Sequence, residues 1–382
     1  MPDIPLSSQN ASIMIPASLV SLETLLYIGL CSEKANDIWS SWTTWQPTEP
    51  YGPRRETDPD DGFGLVVTFH DFIIGSVTTN KTDAVGTDDD RGWRQCLDAC
   101  GINKATQEAI MVLNQKLNRL RRSNSCLYCI KDTINLRYRG LEELRHTLGI
   151  PQQPSTASIE ASNWDSPHPL NTPEYTTLFK PIDLAQTTNL LTQSNTLSNI
   201  SPLLSPPPSD FSGGTRSSFH FPPSHDLAIH NAAYAKSRSP RSRIAILRLL
   251  IPSAAIESLA ASDIQTVLWP SNEWRELVWR SRMRKPLPRY LRKYREATLV
   301  VGTVAWGGGL VCQGMETWEE VGGGWGGECA EGGGGGGEED GVVQYVFSGE
   351  EEGREFLTEN VEGAEVVPFS EAALEEFFAD LT

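Results

Sequence analysis

Two cysteine pairs, Cys96/Cys100 and Cys126/Cys129, come nearest to a metal site by residue type and spacing. Zinc takes four such thiolates in a tetrahedron. A C-x₃-C pair is not the usual knuckle spacing, however, and both pairs lie in helical patterns beside apolar residues. Trp93, Leu97 and Cys100 form one stripe, and Cys126, Cys129, Ile130 and Ile134 another. Core thiols are the expected reading, and no metal is expected. The six His residues are scattered, and His225 and His230 stand five apart, a poor spacing for one helical metal face. No Ser/His/Asp or HExxH arrangement stands out.

Charge is the next chemical signal. From Trp274 to Glu296 there are nine Lys/Arg against two Glu, whereas from Glu316 to Thr382 there are nineteen Asp/Glu against one Arg. The whole chain carries −17 with a pI near 4.8, which argues against nonspecific DNA binding by the protein as a whole. Such segregation points to a surface that meets an oppositely charged one, foreign or its own.

The elements that must position these residues divide the 382-residue chain into two regions. Residues 1–15 read as disordered and 16–149 as an all-α domain. Leu19, Leu22, Leu25, Leu26 and Leu30 recur at helical spacing, as do Trp39, Trp42 and Trp45. The Trp row reads as core. Leu65, Phe69, Phe72 and Ile73 fit a helix, with a strand as the alternative. Asp88–Asp90 precede a helix that stops at Gly101, and two more helices read over 105–120 and 126–148.

Residues 150–172 are a linker by composition. Beyond them, 173–382 read as an α+β domain with strands near 176–180, 218–221, 244–251, 266–269, 298–305, 342–347 and 365–369. Helices are predicted over 226–236, 271–282, 289–295, 350–360 and 371–381. Residues 306–341, with six consecutive glycines at 332–337, read as a disordered Gly/Glu-rich insertion. Lys236–Arg243 (KSRSPRSR) reads as a helix-to-strand turn rather than a nuclear segment.

Four pieces of the C-terminal half, IPSAAIESL, WPSNEWRELVW, LPRYLRKYREATLVVGT and QYVFSGEEEGREFL, resemble a group of fungal proteins. Asp210-Phe211-Ser212-Gly213-Gly214, Phe219-His220-Phe221 and the alanine-rich Ala228 to Ala235 are similar to a divergent ADP-ribosyltransferase-like domain family. The resemblance spans roughly 174–382. It implies an ADP-ribosyltransferase-like fold and a site at Lys180, His220 and Gln344. Active members place a His or Arg, an aromatic or Ser, and a Glu there to hold NAD and stabilise a cationic ribose. Lys lacks the planar fork of Arg, and Gln lacks the charge of Glu. Losing one transition-state group costs on the order of 10²–10³ in rate. The expectation is therefore a degenerate, noncatalytic interaction or scaffold protein without a cofactor. The alternative is an NAD-using transferase or glycohydrolase, with NAD as substrate or ligand.

The basic segment reads as two helices whose Trp274, Leu277, Val278, Leu287, Tyr290, Leu291 and Tyr294 face a core. Arg282, Arg284, Lys285, Arg289, Arg292, Lys293 and Arg295 remain as a candidate patch for an acidic protein partner, or a face partly neutralised by the acidic end. RNA would need the Tyr rings for stacking, so nucleic-acid binding ranks third. Seven cysteines and the lack of a signal pattern point to an intracellular protein, cytoplasmic or nuclear. No membrane association is expected.

Overall fold

The computed structural model describes residues 15–45, 54–57, 64–79, 81–83, 90–116, 125–148, 173–187, 189–192, 195–205, 207, 209–211, 213, 216–305, 312, 315–322 and 342–380. Helices α1 (Leu22–Tyr27), α2 (Ser32–Thr44), α3 (Phe69–Thr78), α4 (Asp90–Ala99), α5 (Lys104–Lys116) and α6 (Cys126–Thr147) build the N-terminal region. Ser21 and Ser125 cap α1 and α6 through side-chain oxygens.

This region is not all-α. Strand β1 (Arg54–Thr57) pairs antiparallel with β2 (Gly64–Val67), Arg54 opposite Val67. Leu65 therefore sits in a strand, where the β-branched Val66 and Val67 favour extension. The helix begins only after Thr68, whose hydroxyl accepts from the Asp71 N–H while Asp71 reaches back to the Thr68 N–H. Trp42 is buried against Phe69 and Phe72, so the Trp row packs inward.

The C-terminal region has α+β content in two sheets. The first has the order β3 (Tyr175–Asp183), β5 (Ile244–Pro252), β9 (Gly363–Pro368), all antiparallel. The second runs β4 (Ser218–Phe221), β8 (Val343–Ser348), β7 (Leu299–Thr303), β6 (Ile264–Val267), with only the last pair parallel. Among the described residues six helices accompany them: α7 (His225–Arg238), α8 (Ser253–Glu257), α9 (Asn272–Arg282), α10 (Arg292–Glu296), α11 (Glu351–Asn360) and α12 (Glu371–Asp380).

Strand alternation sorts the side chains into layers. Ile244 and Ile246 of β5 join the core formed by the N-terminal helices, whereas Ala245, Leu247, Leu249 and Ile251 face a second core between the sheets. Phe219, Phe221, Leu299 and Phe347 complete that second core from the other sheet. The outer face of the second sheet carries Val267, Val300 and Val346, covered by Trp274, Leu277 and Val278 of α9 and by Leu291 and Tyr294.

The first core crosses the expected domain boundary. Ala228, Ala232 and Ala233 of α7, together with Phe369 and Phe377, share one cluster with Trp42, Trp93 and Ile134. Small side chains let α7 lie close to its neighbours. Gly140 of α6 does the same, since a Cβ there would stand 2.6 Å from Ser242 Oγ.

Part of the expected disordered insertion is packed. Cys312 and Val321 are buried in the third core, and Trp318–Glu320 forms a 3₁₀ turn held by a Thr317/Glu320 capping box. Apolar anchors and a local cap thus order a stretch whose composition suggested otherwise. The glycine run, the linker 150–172 and residues 1–14 lie outside the described residues, while Ile15 packs on the first core. No helix among the described residues is long and apolar enough to cross a membrane.

Candidate functional site

His220 and Gln344 meet side chain to side chain, whereas Lys180 reaches only the His220 backbone, from the other face of that sheet. Lys180 shares a strand face with Leu178 and Ile182, which aims it between the sheets. Its Nζ donates to the His220 carbonyl oxygen at 3.3 Å, lies 3.5 Å from Ser205 Oγ and sits 5.6 Å from the centre of the Phe221 ring. Burial alone pushes the Lys180 amine down to about 8.

His220 and Gln344 project from the opposite face of their sheet, toward the third core. His220 pairs with Val346 in the β4–β8 register, so Gln344 is its diagonal neighbour. His220 Nδ1 lies 3.2 Å from Gln344 Oε1, a contact that places the ring proton on Nδ1. The Nε2 atoms of both side chains are buried without a hydrogen-bond partner, and Gln344 is 8% exposed. Burial first, then the Lys180 charge, lowers the His220 pKa to about 4.

Folded His220 therefore stays neutral well below 6.5, the pH at which an unfolded His takes its proton. The unfolded chain binds that proton first, so stability falls as pH drops from about 6.5 to about 4. His70 and His225, also lowered by burial, add to the slope. Urea midpoints measured across this window are expected to fall less steeply for His220→Asn than for the unmodified chain. Parallel profiles would contradict this titration.

These three side chains do not fit NAD. Phe211, at φ +62 and 2% exposed, lays its ring on β7 at Gly302, the residue opposite Gln344. A Cβ at Gly302 would meet that ring at 2.6 Å, so glycine is required for Phe211 to close over this stretch of sheet. Asp210, which bears electrostatically on His220, is held by Arg282. Lys180, His220 and Gln344 themselves supply no carboxylate to face a ribose cation.

The basic patch is smaller than its sequence. Arg282 is withdrawn from it: Nε and Nη2 grip Asp210 at 2.6 and 3.0 Å, and Nη2 also donates to the Ala305 carbonyl at 2.9 Å. Arg284 donates to the Pro207 carbonyl at 3.1 Å, and the Lys285 Nζ stands 3.9 Å above the Trp279 ring. Lys293 pairs with Glu273 at 2.9 Å. Nearby, Glu276 is engaged by Arg280 and Tyr290 and Glu273 by Tyr294, whereas Glu296, next to Arg295, is exposed.

Arg289, Arg292 and Arg295 are exposed and make no ion pair among the described residues. No described carboxylate of the acidic C-terminal stretch pairs with them; Glu350 is on Arg216 and Glu365 on Arg248.

Asp210 and Arg216 were missed as charged partners in the sequence. The only hint for Asp210 was its place before Phe-Ser-Gly-Gly. Arg216 lines a depression of about 20 Å³ with Arg295, Ser217, Ser218 and Ser348. The four paired cysteines are all buried in the first core, where Tyr234 donates to Cys129 Sγ at 3.0 Å. The described residues contain no group of three or more His, Cys, Asp or Glu placed to hold a metal. Comparison with family models, curated proteins and solved structures returns no match to this chain.

Proposed function

We propose that the chain is a noncatalytic interaction or scaffold protein that retains an ADP-ribosyltransferase-like arrangement and binds an acidic protein segment through Arg289, Arg292 and Arg295. One observation carries this reading: three arginines spaced three residues apart are exposed without an ion pair among the described residues, while Glu273 and Glu276 are already engaged. A face of this kind attracts anions before contact and favours a carboxylate-rich partner. Nucleic acid fits less well, because Tyr294 is buried and Tyr290 is tied to Glu276.

The rival is an NAD-using transferase or glycohydrolase. It is favoured by the His220–Gln344 contact and by the unpartnered Nε2 atoms of these two side chains. It is disfavoured by the covering Phe211 ring and the missing carboxylate.

Fluorescence anisotropy with a labelled glutamate-rich peptide tests the docking face. Arg289→Glu, Arg292→Glu and Arg295→Glu together are expected to weaken binding more than about tenfold, or 1.4 kcal/mol. Added salt should weaken the unmodified protein's binding as well. Undiminished binding by the triple variant would place the contact elsewhere.

A further inference from the structure

The exposed arginines border a built depression. Arg216 and Arg295 approach it from separate segments, with the hydroxyls of Ser217, Ser218 and Ser348 around it and Val300 and Val346 as its apolar floor. The stem of Arg295 rests on Gly213, which has φ +63, and a Cβ there would stand 3.4 Å from Arg295 Cδ. From this position Arg295 lines the depression. Ser348 Oγ accepts the Glu350 N–H at 3.2 Å, so its own hydrogen is available to an incoming oxygen. Among the described residues Glu350 pairs with Arg216, 3.5 Å from its Nε, in a contact where both side chains are a third to a half exposed. Such a pair is weak and readily displaced by a stronger anion.

Two guanidiniums and a set of hydroxyl donors offer more hydrogen bonds than a planar carboxylate can accept. A phosphoryl group carries three acceptor oxygens and a charge of about −1.5 to −2 at neutral pH. We propose that this depression binds a phosphorylated serine or threonine side chain within the acidic partner segment. This proposal rests on the docking reading above. Arg289 and Arg292 then track the flanking carboxylates, and Arg216 with Arg295 reads the phosphate.

The test uses the full chain and three labelled peptides, identical except for phosphoserine, Glu or Ser at the centre of a glutamate-rich stretch. Anisotropy at physiological ionic strength is expected to show phosphoserine bound about tenfold more tightly than Glu. Arg216→Ala and Arg295→Ala should each erase that preference, whereas Arg292→Ala should weaken all three peptides alike. Circular dichroism should be unchanged in these surface variants. Equal affinity for the phosphoserine and Glu peptides would overturn the phosphate site while leaving the acidic docking face standing. Binding of none of the three would overturn both. Displacement of the phosphopeptide by soluble inositol trisphosphate at lower concentration than by free phosphoserine would assign the site to a lipid headgroup, and also overturn the proposal.

Discussion

Arg282→Ala is expected to destabilise the chain by roughly 3–5 kcal/mol, the cost of breaking a buried ion pair from one side. The guanidinium holds both Asp210 oxygens and the Ala305 carbonyl, with 8% of the Arg282 side chain and 11% of Asp210 exposed. Removing it strands the Asp210 carboxylate beside the third core. It also frees the turn that carries Phe211 over Gly302. Arg282→Lys keeps the charge but not the two-pronged grip, and should fall between the two. Arg292→Ala, on an exposed face, should change stability by no more than about 0.5 kcal/mol. Urea midpoints of the three variants check the ordering. Equal midpoints for Arg282→Ala and Arg292→Ala would return Arg282 to the surface patch.

A loss of the same size, roughly 3–5 kcal/mol, is expected for Arg238→Ala. Arg238 is 3% exposed at its side chain and joins α7 to α6. It bonds Asp132 at 2.6 Å, Thr133 Oγ1 at 3.0 Å and, within its own helix, the Tyr234 carbonyl at 3.1 Å. Its guanidinium also stacks 3.9 Å from the Tyr234 ring. The change should loosen the junction between the helical region and the sheets, so amide exchange in α6 and α7 should rise together. Asp132→Ala should cost less, because Asp132 is 35% exposed and the remaining guanidinium keeps its other acceptors. Equal exchange in Arg238→Ala and the unmodified chain would show that the apolar core alone joins the two regions.

Much of the secondary structure was legible because local signals agreed. The alternating Ile244–Ile251 run, the Ser271 cap before Trp274 and the acidic start of α11 each mark an element found within a few residues of its predicted bounds. The Leu65 region failed because a β-branched run and a helical pattern overlap, and only the Thr68/Asp71 box decides between them. The shared first core was not legible. Ala228, Ala232 and Ala233 show an apolar stripe, but nothing local says that the stripe meets Trp93 and Ile134 rather than its own sheet alone.

For the site, sequence located Lys180, His220 and Gln344 through resemblance, and the folded chain joins the His220 and Gln344 side chains while Lys180 bonds the His220 backbone from the other face of the sheet. It overcounted the basic patch, because a run of Lys and Arg does not reveal which carboxylates fold against it. Asp210 lies 72 residues from Arg282, and Glu273 lies 20 from Lys293. Arg284, Lys285, Arg289, Arg292 and Arg295 pair with no carboxylate among the described residues, although Arg284 is tied to a carbonyl and Lys285 to a ring.

Nicotinamide release from NAD by the purified full chain tests the noncatalytic account most directly. The account predicts no release above a protein-free control, and no difference among the unmodified chain, His220→Ala and Gln344→Ala. Release by the unmodified chain that disappears in either variant would contradict it.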